Sequence, residues 1–153
     1  MRQRLPGPAV FCVGKGWGAE VRRQDLPDWH LDKLAQLDGR SFVVSSYENV
    51  HQSRYISEKV FDSFAVGGLP TYWASPQHRV FELVPEQAML NTRKLTAKEA
   101  ATHIAGFVPD KDIAAAWLGT AARLSALFGD FEAIQAERRR VADAVVDEVV
   151  RLV

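Results

Sequence analysis

The run from Phe42 to Pro76, FVVSSYENVHQSRYISEKVFDSFAVGGLPTYWASP, confines the fold more than any other part of the chain. Ser41 to Ser46 reads as a buried strand, and a polar loop follows it. Ser57 then stands as the cap of a helix whose Val60, Phe61, Phe64 and Ala65 form one apolar stripe. Gly67-Gly68 ends that helix with residues that accept positive φ, and Leu69 to Ala74 reads as the next strand. Strand, helix and strand so closely spaced predict a parallel pair joined by a right-handed crossover. Polar groups at the carboxyl end of a strand, facing the first turn of a helix, form a cradle for a phosphorylated ligand in such sheets. Here those groups are Glu48, Asn49, Tyr55, Glu58 and Lys59.

The same alternation extends to both sides. Ala9 to Val13, bounded by Pro8 and Gly14, suits a short buried strand, and Trp29, Leu31, Leu34 and Leu37 recur at helical spacing after the candidate cap Asp28. Downstream, Ala88 to Asn91 is a short apolar piece, and Thr96-Ala97-Lys98-Glu99 matches a capping box that opens a helix to about Gly106. From Asp110 the character changes to helix throughout, one segment to about Phe128 and a longer one from Asp130 to Val153. The predicted fold is α/β: a Rossmann-like, mostly parallel sheet with helices on both faces over residues 1–109, and a helical carboxyl-terminal extension of the same domain over residues 110–153.

Composition narrows the class of partner. The 19 basic residues balance the 19 acidic ones, so nothing calls for nucleic acid or an acidic membrane surface. No stretch approaches the roughly 20 apolar residues that span a bilayer. The amino terminus reads as unprocessed, because Pro6 and Pro8 interrupt it and Ala9 to Val13 is too short for a signal core. Cys12 is the sole cysteine and reads as core, which fits a reducing, cytoplasmic setting.

The spaced residues Glu48-Asn49, then Tyr55-Ile56-Ser57-Glu58-Lys59, then Pro70-Thr71-Tyr72-Trp73-Ala74-Ser75-Pro76 are similar to E-N, Y-x-[ST]-E-K and P-x-Y-W-G-S-P of the α-1,3/1,4-fucosyltransferases. The chain thus resembles the donor-binding region of that family, strongly over Phe42 to Pro76 and more weakly to about Gly106. The resemblance implies one lobe of a GT-B architecture that holds GDP-fucose, and inverting, metal-independent fucosyl transfer to a glycan hydroxyl once an acceptor lobe completes the site. It implies donor contacts from Tyr55, Glu58 and Lys59, with Asn49 matching the asparagine of the E-N pair beside Glu48, and Arg22 standing for an upstream phosphate-binding arginine. It assigns no catalytic base and no cofactor beyond the donor substrate. The acceptor half of such an enzyme would come from a partner lobe. The alternative is a non-catalytic nucleotide-sugar-binding or interaction module.

Local chemistry agrees with the implied roles. A lysine in the first turn of a helix adds charge to free backbone N–H groups and the positive end of the helix dipole, together enough to hold a diphosphate. Glu58 can accept hydrogen bonds from ribose hydroxyls. The competing loop Gly14-Lys15-Gly16-Trp17-Gly18-Ala19 fits a loose G-x-G-x-x-A dinucleotide pattern, but Pro27 leaves room for about two helical turns and Trp17 sits where a pyrophosphate should approach. The four histidines, His30, His51, His78 and His103, show no metal-ligand spacing and read as surface or capping residues. Arg138-Arg139-Arg140 reads as a solvated face of the last helix, whose opposite side, with Phe131, Ile134, Val141, Val145, Val149 and Leu152, is apolar enough to pack on the sheet or on a second copy as a homodimer.

Overall fold

The structure is a computed structural model that describes Val10 and residues 25–152. The strand expected at Ala9 to Val13 (Val10 apart, which is exposed), Cys12, the glycine loop at 14–19 and Arg22 lie outside the described residues.

Helix α1, Trp29–Leu37, starts where Asp28 accepts hydrogen bonds from the His30 and Leu31 amides, and it leads into strand β1, Val43–Ser45. Helix α2, Glu58–Ala65, is capped by Ser57 and is followed by strand β2, Leu69–Tyr72. The α2 exit is a Schellman turn: Gly68 N–H donates to Ser63 O at 2.8 Å, Gly67 N–H to Phe64 O at 3.1 Å, and Gly67 adopts φ +76°. A short helix α3, Val80–Leu83, and a 3-10 turn at Glu86–Ala88 precede strand β3, Leu90–Asn91. Helices α4, Ala97–Ala105, α5, Lys111–Gly129, and α6, Phe131–Leu152, complete the chain. The predicted capping box on α4 is present, with Thr96 and Glu99 bonding reciprocally.

Among the described residues the strands form one three-stranded parallel sheet in the order β1-β2-β3, with Val43 opposite Leu69 and Thr71 opposite Leu90. The α/β architecture is therefore present, and all three carboxyl ends share one edge. Central strand β2 is buried along its whole length. The main core joins Val60 and Phe64 of α2, Tyr72 and Ala74, Val80 and Val84, Ala88 and Met89, and Leu124 of α5. Helix α5 is tied to the sheet as well as packed on it: Trp117 stacks on Phe64, and its indole N–H donates to Gly68 O at 3.0 Å.

Two elements depart from the sequence expectation. Helix α3 and the 3-10 turn were not predicted, because four apolar-rich residues between His78 and Pro85 carry no periodic signal. Helix α6 buries none of its residues, so its apolar side does not pack on the sheet. Helix α5 already occupies that ground, with Leu124 and Trp117 against the core. Among the described residues no helix is long and apolar enough to cross a membrane.

Candidate functional site at the carboxyl edge of the sheet

The loop after β1 folds back onto the start of α2, and Glu48 is the reason. Its side chain is only 6% exposed, and it accepts the Ser57 amide at 2.7 Å, the Ser57 hydroxyl at 2.6 Å and the Tyr72 hydroxyl at 3.1 Å. Ser57, so oriented, accepts the Lys59 amide at 3.4 Å as the α2 cap. One carboxylate thus joins the loop after β1, the cap of α2 and the end of β2. Tyr72 responds to that neighbour: burial, then the Glu48 charge and the hydrogen bond to it, hold its hydroxyl well above the ordinary tyrosine range.

Lys59 emerges from the first turn of α2 beside this knot. Its ammonium donates to Asn49 Oδ1 at 2.8 Å and lies 3.9 Å from Glu48 Oε2, with about a quarter of the side chain exposed. The E-N pair and the lysine of Y-x-S-E-K, ten residues apart, therefore meet in space. Glu58 and Tyr55 are exposed on the same segment, and no hydrogen bond of their side chains forms with the cluster among the described residues. Both are open to a ligand from solvent, unlike Glu48.

Residues after the other two strands line cavities that the sequence did not mark. One, of about 430 Å³, lies between Tyr47, Trp73 and Thr92, each just past a strand, and the α4 residues Ala97, Ala100 and Ile104. Tyr47 and Thr92 share a hydrogen bond across its wall at 3.1 Å. A second, of about 450 Å³, is bordered by Ala74, Phe81, Glu86, Asn91, Arg93 and Lys94. Asn91 shapes its rim by bonding both backbone groups of Ala74 and the Arg93 amide. Neither cavity is lined by Lys59. Arg93 and Lys94 stand after a two-residue strand, so only the parallel alignment of β3 shows that they share the edge with Lys59.

Three of the histidines take structural places, while His103 is exposed on α4. His78 is buried, and its Nδ1 accepts the Val80 amide at 3.1 Å, which supports the start of α3. Burial first, then the neighbouring His51, lower its pKa, against an opposing hydrogen bond with the Gln52 backbone and the charge of Glu48. His51 stacks on His78 and meets the Trp73 ring edge-on at 4.2 Å between centroids. His30 pairs with buried Asp62 at 2.9 Å, and Lys33 reaches the same carboxylate at 2.7 Å, so α1 is fastened to α2. Among the described residues no three His, Cys, Asp or Glu side chains are grouped to hold a metal ion. No protein-family model, curated protein or solved structure matches the chain.

Proposed function

We propose that this chain binds a nucleoside diphosphate sugar, GDP-fucose on its resemblance to the fucosyltransferases, along the carboxyl edge of its sheet. The observation that carries the reading is Lys59, held at the first turn of α2 by Asn49. A diphosphate replaces the single hydrogen bond to Asn49 and meets both the ammonium and the positive end of the α2 dipole. Tyr55 and Glu58, exposed nearby, are free to meet the nucleoside. Arg93 and Lys94, after β3, lie two strand spacings from β1, about 10 Å, which a ligand with both a nucleoside and a diphosphate can bridge.

In the inverting reaction an acceptor hydroxyl oxygen bonds to fucose C1 as the bond from C1 to the diphosphate oxygen breaks, and the electron pair leaves with GDP. Lys59 stabilises the charge that grows on that leaving group, which favours the transition state over the bound donor. The proton of the acceptor goes to a base supplied by an acceptor lobe. A second reading, a nucleotide-sugar-binding module without turnover, is favoured by Glu48, since the carboxylate nearest the cradle is engaged by Ser57 and Tyr72 and is not free to take a proton.

Calorimetry with GDP, UDP and NAD in parallel tests the binding step. GDP should bind, and Lys59→Ala should weaken it by about 1–3 kcal/mol, the loss of one charge-assisted phosphate bond. An unchanged titration would remove Lys59 from the site, and tighter NAD binding would replace the reading altogether. Fucose transfer or GDP-fucose hydrolysis by the full chain separates the enzyme from the module.

A further inference from the structure

Helix α6 runs for 22 residues, about 33 Å, with none of them buried, although one side of it is apolar. Val141, Val145 and Leu152 are 49%, 59% and 80% exposed, while Ile134 is half-buried where the helix leaves α5. With Arg138 and Glu148 these residues follow one seam: Ile134, Arg138, Val141, Val145, Glu148 and Leu152 alternate in steps of four and three, the spacing that keeps side chains facing a partner helix. Two charged residues interrupt that seam. They are opposite in sign and stand at equal distance, five residues, from Asp143.

We infer that α6 pairs with α6 of a second copy of this chain, antiparallel, about a two-fold axis at Asp143. Only that arrangement satisfies the whole seam. Reversing the helix about position 143 sets Ile134 against Leu152 of the second copy, Val141 against Val145, and Arg138 against Glu148, each contact occurring twice by symmetry. A parallel pair instead sets Arg138 against Arg138 and Glu148 against Glu148, two like-charge contacts in the interface. Ala142 and Ala144 flank the midpoint and permit close approach there, while Asp143 itself points to the opposite, solvent side at 100° per residue. Arg138 makes no hydrogen bond or ion pair among the described residues, and the bond that Glu148 accepts from Arg151, at 3.4 Å, is an exposed one within the helix. Both charges are therefore available to the second copy. The pairing does not depend on what the sheet edge binds.

Sedimentation equilibrium on the full chain, with far-UV circular dichroism to confirm that each variant folds, decides the matter. The wild type should be a dimer in a concentration-dependent equilibrium. Arg138→Glu and Glu148→Arg should each raise the dimer dissociation constant at least about tenfold, since each creates two like-charge contacts. The double variant, which restores opposite signs, should return it to near the wild-type value. Val141→Asp with Val145→Asp should give a folded monomer. A wild type that stays monomeric at ~100 µM overturns the inference, as does a dimer indifferent to either reversal, or a double variant that fails to re-form it.

Discussion

Replacing Glu48 by alanine should cost about 3 kcal/mol of folding free energy, which is large for a residue in a surface loop. The figure follows from what each partner loses. Tyr72 is 0% exposed, and its hydroxyl donates to Glu48; without the carboxylate it becomes a buried donor with nothing to bond, at about 2 kcal/mol. Ser57 is half-buried, so water can reach its amide and hydroxyl, and what is lost there is the orientation of the α2 cap, about 1 kcal/mol. Summing three gross hydrogen bonds to a charged acceptor would give more, but solvent recovers part of each. Urea unfolding followed by tryptophan fluorescence measures the change, and Tyr72→Phe in both backgrounds closes a double-mutant cycle. Removing the hydroxyl removes the orphan, so Glu48→Ala should cost clearly less in the Tyr72→Phe background, with a coupling above about 0.5 kcal/mol. A loss below about 1 kcal/mol with no coupling would mean that Glu48 does not hold the loop to α2, and the account of the cradle would fail with it.

Two further outcomes test the packing and the electrostatics around that cradle. Gly68→Ala should destabilise by about 1–3 kcal/mol, because a Cβ there stands 2.5 Å from buried Val44 Cγ2 and 3.1 Å from Ser41 O, and neither can retreat without moving β1; a melt unchanged from wild type would show that the β1 contact is slack. Stability should fall as pH drops below about 6.5, since His78 is held neutral in the fold while the unfolded chain takes up the proton; His78→Asn, which keeps an acceptor for the Val80 amide, should flatten that acid limb in urea titrations between pH 7.5 and 5, and an unchanged slope would assign the limb to other groups.

The parts of the fold legible in the sequence are those decided within one turn of chain. Asp28, Ser57 and Thr96 each cap a helix as expected, because a cap needs only its own side chain and the amides two and three residues on. Strand lengths were less legible: Ser41 to Ser46 shrinks to Val43–Ser45 and Leu69 to Ala74 to Leu69–Tyr72, since a ladder runs only as far as its neighbours do. Helix α3 depends on His78 and a buried setting that no local pattern announces. Among candidate site residues, the placing of Asn49 and Lys59 at one strand end and helix start followed from the motif, though not the hydrogen bond between them. The engagement of Glu48 by Tyr72, 24 residues away, and the alignment of Arg93 and Lys94 on the same edge did not, because both arise from strand pairing.

These contacts divide the resemblance itself into two kinds of residue. Glu48, Ser57 and Tyr72 stand in all three stretches that are similar to the fucosyltransferases, yet they bond to one another, and a chain that needed only to fix this loop against α2 would require them equally. Their presence therefore favours the fold more than the ligand. Lys59, Tyr55 and Glu58 are different. A cation in the first turn of a helix opposes the dipole and weakens α2, and of its two neighbours Asn49 is a neutral acceptor, while the buried Glu48 carboxylate at 3.9 Å pairs with the charge. The pairing with Glu48 gives a structural reason for a lysine at that position, and an anionic ligand would give a second. The weight of the functional reading thus rests on Lys59. Lys59→Ala should weaken GDP binding while folding stability changes by less than about 1 kcal/mol, since relief at the helix dipole offsets the lost pairing with Glu48, and a variant that loses stability but keeps GDP affinity would place Lys59 with Glu48 among the residues that merely hold the loop.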